Sequence, residues 1–197
     1  MSRRRPKAAD EFMKELEADP EWRAAQAERE RRDAEQEEWY AEKEAPVVAA
    51  LAEIGVEVRS VWDLVNRKDD DYADSVPVLV EHLQDESHPD RVREGIARSL
   101  SFRKAAPAWP AIVELYRSTT DSVDLQQGLA VAMAGTVTDA TVDELVAEAH
   151  REEHGESRLI LLLGLKRLRT RKATEALEGL LDDPDLGENA AKQLGER

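Results

Sequence analysis

A nine-residue pattern returns four times in the last two-thirds of this 197-residue chain, and no other feature restricts the fold as much. It reads VREGIARSL from Val92 to Leu100 and LQQGLAVAM from Leu125 to Met133. It comes back as ILLLGLKRL from Ile160 to Leu168 and LGENAAKQL from Leu186 to Leu194. Most copies put aliphatic side chains at i, i+4 and i+8 with a small or apolar residue at i+5, which is one face of a helix. A second series precedes it, with Leu79, Ile112, Leu145 and Leu177 at intervals of 33, 33 and 32 residues. Recurrence at this period predicts stacked helical hairpins, each burying its apolar face against the next, rather than one globular core. Pro77 and Pro110 fall in the first turns of two of the expected first helices, where a missing N–H does no harm.

The linking segments also recur, as FRKA (Phe102 to Ala105) and TRKA (Thr170 to Ala173), and DPDL (Asp183 to Leu186) leads into NAAKQLG (Asn189 to Gly195). Together these residues resemble short HEAT-type repeats over roughly residues 74–197. Armadillo and longer HEAT units run to about 40–47 residues, and the motifs of ankyrin and tetratricopeptide repeats are absent. The third copy departs from the pattern, with Leu161 and Leu165 at its usual polar and alanine positions, and the fourth carries Gly187 in place of arginine. The resemblance implies an all-α fold, an α-solenoid of about four HEAT-like hairpins whose second helices line a concave side. HEAT-like arrays host many functions, so the resemblance speaks to architecture first.

Residues 1–45 are different in kind, a charged N-terminal helical arm with 10 basic and 14 acidic residues. Asp10 can cap a short helix carrying Phe12, Met13 and Leu16 on one face. Asp19, Pro20 and Glu21 then give a strong start signal for a long helix: N-cap, first-position proline, first-turn acid. Opposite charges four apart at Glu28/Arg32, Arg29/Asp33 and Arg31/Glu35 support it. Its apolar content is thin, so the arm either projects or lies across the body with Trp22 and Trp39 as anchors. Residues 46–73 read as a capping helix pair and loop. PVVAALAEI (Pro46 to Ile54) is expected as a separate helix stopped by Gly55, and Ser60 with Asp63 forms a capping-box variant before Val61, Trp62, Leu64 and Val65. NRKDDDY (Asn66 to Tyr72) is a polar loop.

Composition narrows the chemistry. Charged residues make up 36% of the chain, and there is no cysteine, so disulfide and thiolate chemistry are excluded. No apolar run approaches the ~20 residues needed to span a bilayer. MSRRRPK runs straight into charged, amphipathic AADEFMKE, which reads as a solvated basic tail and not an export signal, so the expected location is cytoplasmic. A net charge of −15 opposes polyanions at long range and favours a basic partner.

The resemblance makes the second helices, which line the concave side in such arrays, the expected place for a partner. Leu125 to Thr138 and Leu159 to Leu165 carry no charge, and Leu161, Leu162 and Leu165 cannot all share the face marked by Ile160, Gly164 and Leu168. Either the chain covers the far side itself or an apolar groove or dimer seam awaits a partner. Arg91, Arg93, Arg98, Arg103 and Lys104 flank one neutral stretch, and Arg158, Lys166, Arg167, Arg169, Arg171 and Lys172 the other. These groups either pair with carboxylates, as Arg98 with Glu94, or face an anion.

The expected function is therefore a non-enzymatic protein-binding scaffold, monomeric or weakly dimeric. Its contacts are expected from Arg91, Arg98, Gln127, Val131, Arg158, Leu162 and Arg169 with Trp22 and Trp39 of the arm. The alternative is a nucleic-acid-binding or base-processing protein using Arg91, Arg93, Arg98, Arg158 and Arg169, since some HEAT-like proteins hold DNA in a concave basic channel. No catalytic, cofactor or metal signature is assigned. HREEH spaces His150 and His154 four apart, but Arg151 stands where a zincin needs glutamate. His82 and His88 read as isolated.

Overall fold

Asp19 does what its position promises. In the computed structural model, which describes residues 9–65, 67 and 72–195, its Oδ1 accepts a hydrogen bond from the Glu21 N–H at 2.8 Å. That cap separates α1 (Ala9–Ala18) from α2 (Pro20–Glu53). The arginine-rich start and most of the expected loop at 66–72 lie outside the described residues. Along α2, Arg31 pairs with Glu28 at 2.7 Å and with Glu35 at 2.5 Å, and Arg32 reaches Glu28 at 3.6 Å. Arg29 departs from the expected pairing with Asp33 and donates to the Ala25 carbonyl instead. The described residues up to Glu42 form one compact unit and those from Lys43 onward another.

The expected helix break at Pro46 does not occur: α2 continues through it to Glu53. A proline inside a helix loses one backbone bond and costs about 3 kcal/mol. The turns that follow outweigh this. Val47 and Leu51 are both fully buried, each contributing roughly 1.5–3 kcal/mol. Glu44, also buried, accepts bonds from the Ser60 hydroxyl at 3.0 Å and the Val61 N–H at 3.2 Å. It thereby holds the start of α3 (Trp62–Val65), where Ser60 Oγ caps the Trp62 N–H and Asp63 accepts from the Ser60 N–H.

From there the body is helical throughout, with no strand among the described residues. The helices are α4 (Val76–Gln84), α5 (Asp90–Ser99), α6 (Trp109–Ser118), α7 (Val123–Thr136), α8 (Val142–Ala149), α9 (Ser157–Leu168), α10 (Arg171–Gly179) and α11 (Gly187–Gly195). Each even-numbered helix packs on the odd-numbered helix after it, α4 on α5 through α10 on α11. The odd-numbered helices also touch in succession, α3 to α5, α5 to α7, α7 to α9 and α9 to α11. Between the others, α4 meets α6, α8 meets α10, and Arg117 of α6 pairs with Glu144 and Glu148 of α8. The periodic residues Leu79, Ile112, Leu145 and Leu177 are all fully buried. Trp109 and Tyr116 are in the same core, as their helical spacing implies. Among the described residues no helix is long and apolar enough to cross a membrane.

Candidate functional site

From Leu125 onward α7 carries no charge, and most of that stretch is buried. It packs on α5, α6 and α9 and on the 3-10 turn Arg103–Ala108. Two glycines set the spacing. A β-carbon on Gly135 would come within 2.3 Å of the Ser101 Cα, and one on Gly164 within 2.8 Å of the Ala134 Cα. Side chains there would push the helices apart. Helix α9 is covered likewise by α7, α8, α10 and α11, and its most buried residues are Leu161, Leu162 and Leu165. The frame marked by Ile160 and Leu168 is only partly buried, so the third copy is rotated relative to the others. Leu162, expected to meet a partner, is 0% exposed and belongs to the core. Among the described residues, the far side of these apolar stretches is filled largely by the chain's own helices. Gln127 and Val131 keep partial exposure.

The arginines divide into committed and uncommitted groups. Arg98 donates to Glu94 at 2.7 Å, the pairing its spacing offered. Arg158, expected at the binding face, is buried: it donates to the Gly155 carbonyl at 3.0 Å and pairs with Asp185 at 2.9 Å. It ties α9 to the loop before α11 and is not positioned to meet a partner. Arg93 is also buried, bonded to the Leu83 carbonyl at 3.0 Å, while Arg91 is exposed in the first turn of α5. In the arm, Trp22 is half-buried, and Trp39 is exposed with its ring edge-on to Tyr40 at 5.0 Å.

Arg103 and Arg169 have no carboxylate in ion-pair range among the described residues. They line two adjoining hollows of about 440 Å³ each at the C-terminal ends of α7 and α9. One is walled by Leu163, Lys166, Arg167 and Arg169, and the other by Arg103, Thr138, Asp139, Arg167 and Thr170 among others. Arg167 donates to the Gly135 carbonyl and is shared by both. Leu163 is 49% exposed beside these cations. Arg169 takes the left-handed conformation (φ 51°, ψ 27°) that ends α9, a place where glycine is the usual occupant. A side chain there costs about 1–2 kcal/mol of backbone strain. A larger hollow of about 600 Å³ over α6 and α8 includes Arg117, but that guanidinium is already committed to two glutamates.

Those glutamates lead into a buried polar cluster. Glu148 accepts from Arg117 at 2.7 Å and from His154 Nε2 at 3.1 Å. The Gln126 amide nitrogen lies 3.2 Å from His154 Nδ1, so that nitrogen accepts while Nε2 faces Glu148. The Glu148 hydrogen bond holds the Arg117 pKa above its ordinary value. Tyr116 hydrogen-bonds Ser157 at 2.7 Å, and burial pushes its phenol up to about 12. Every member has its partners, and the ring nitrogens of His154 have no lone pair left for a substrate. The cluster locks α6, α7, α8 and α9 together. His150 lies apart, 3.4 Å from Asp183, so HREEH does not assemble a metal pair.

His82 and His88, read as isolated, are in contact. Nδ1 of His82 lies 2.9 Å from Nε2 of His88, whose own Nδ1 faces the Lys43 carbonyl at 3.1 Å. Asp85 stands between them in sequence, its Oδ1 held by the Ser87 N–H at 2.9 Å and its Oδ2 3.9 Å from His88 Nε2. The available signal was the spacing H-x2-D-x2-H from the last turn of α4 into the loop.

No family model, no curated protein and no solved structure matches this chain.

Proposed function

We propose that this chain is a non-enzymatic binding protein, a short HEAT-like solenoid that holds an acidic segment of a protein partner. The segment would sit in the hollows between the ends of α7 and α9. The observation that carries the reading is the pair Arg103 and Arg169, two exposed guanidinium groups left without carboxylates in a chain of net charge −15. Arg169 is kept at a backbone position that glycine would fill at lower cost. Exposed Leu163 adds an apolar contact, so a segment with acidic residues around one aliphatic side chain fits better than a bare anion. The ordered contacts between successive odd-numbered helices and the 33-residue period support the solenoid reading. The partner charge favoured here is opposite to the one net charge alone suggests, because the local field at the hollows is positive.

Binding to a labelled Glu/Leu peptide and to a labelled DNA duplex at about 50 mM salt tests the reading. The expected result is peptide binding that Arg103→Glu and Arg169→Glu abolish while the duplex stays free. Duplex binding lost in the same variants would transfer the site to nucleic acid. Peptide binding indifferent to both substitutions would remove the site altogether.

A further inference from the structure

The α4–α5 loop brings two imidazoles and a carboxylate to one point, with their ligand atoms all within 4.8 Å of one another. The tautomers follow from the partners. The Lys43 carbonyl can only accept, so His88 carries its proton on Nδ1 and turns the Nε2 lone pair toward His82. In zinc centres a ligating histidine is oriented in this way, by donating its other N–H to a carbonyl or carboxylate. Asp85 is held the same way: its Oδ1 accepts from Ser87, which leaves Oδ2 on the side of the imidazoles.

We propose that His82 Nδ1, His88 Nε2 and Asp85 Oδ2 bind a zinc-class divalent ion. Two atoms bound to one tetrahedral ion at zinc distances lie roughly 3.3 Å apart. The imidazole nitrogens, 2.9 Å apart, need to open by less than about half an ångström, and Asp85 Oδ2, 3.9 Å from His88, needs to close by a similar amount. Asp85 is exposed at the C-terminal end of α4 and can make that movement, whereas His88 is buried and fixed. On binding, the His82 proton passes through water from Nδ1 to Nε2, so no covalent bond other than N–H changes. Three protein ligands leave one tetrahedral position for water or a group from another molecule. Imidazole donors favour zinc, nickel or copper over magnesium and calcium. Glu81 nearby and the chain's negative field draw a cation in. The ion would fasten the α4–α5 loop to α2 through His88 and the Lys43 carbonyl.

Titrating the full chain, stripped of metal, with Zn2+ alone against a chromogenic chelator tests this. One ion per chain is expected, and Co2+ in its place should give the visible d–d absorption of a four-coordinate site. His82→Gln and Asp85→Asn, both at partly exposed positions, should each weaken zinc binding at least tenfold with circular dichroism unchanged. His150→Gln should leave it intact. No uptake by the parent chain, or uptake that the first two substitutions leave as it was, overturns the site. So does uptake lost only in His150→Gln.

Discussion

Gly135 of α7 passes so close to Ser101 that an added β-carbon would sit 2.3 Å from the Ser101 Cα and 2.5 Å from its Oγ. The Ser101 hydroxyl meanwhile donates to the Val131 carbonyl at 2.9 Å, fixing the loop after α5 against α7. Gly135→Ala should therefore cost about 2–3 kcal/mol by forcing backbone apart. Gly179, in α10, has nothing within 4 Å of its would-be β-carbon. Gly179→Ala should stabilise by up to about 1 kcal/mol through helix propensity alone. Urea unfolding of both variants checks the contrast.

Glu148 is the hub of the buried cluster, 2% exposed and shared by Arg117, His154 and, at 3.6 Å, Arg151. Glu148→Ala leaves the His154 N–H without an acceptor in the core. We expect a loss of about 2–4 kcal/mol, the lower part of that range reflecting the solvent-screened Arg117. Glu144→Ala, which removes a more exposed partner of the same arginine, should cost less than about 1 kcal/mol beyond the Trp109 contact it also breaks. Thermal denaturation at equal salt separates the two.

Tyr116 ties stability to alkaline pH. Its folded pKa of about 12 lies above the unfolded value near 10, so the neutral phenol is favoured in the native state. The contribution is complete below about pH 10 and is lost as the pH rises toward 12. Phenolate absorbance of the native chain should show a late-ionising group that Tyr116→Phe lacks. A phenol ionising near pH 10 with the fold intact would contradict the burial described for it.

Arg169 predicts a trade between stability and binding. Arg169→Gly relieves a left-handed backbone position and should raise stability by about 1 kcal/mol. The same change removes one of the two unpaired cations of the hollow and should weaken peptide binding. A variant that gains stability with binding intact would show that the hollow does not use this side chain.

The periodic positions were legible because buried helix faces demand aliphatic groups at fixed intervals, and those groups must be written in the chain. Leu79, Ile112, Leu145 and Leu177 appear both as a period and as buried side chains. Caps were legible for a similar reason: Asp19 and Ser60 each act on the residue two positions away. What failed depends on distant partners. Pro46 looked like a break because the local rule weighs the lost backbone bond, not the burial of Val47 and Leu51. Leu162 and Arg158 looked available because the helices and loop that enclose them lie elsewhere in the chain, both before and after α9. His82 and His88 meet only because the chain reverses after α4, and the carbonyl that orients His88 is 45 residues back.

Helix α2 shows why composition is a poor guide to where this chain can be cut. The charged stretch ends at residue 45, yet the Glu44 carboxylate anchors the start of α3 and the Lys43 carbonyl orients His88. A truncation placed at Pro46 would leave the remaining protein short of both, with a proline as its exposed first residue. Trimming before Lys43 keeps them, so the usable joint lies nearly one helical turn upstream of the visible change in charge.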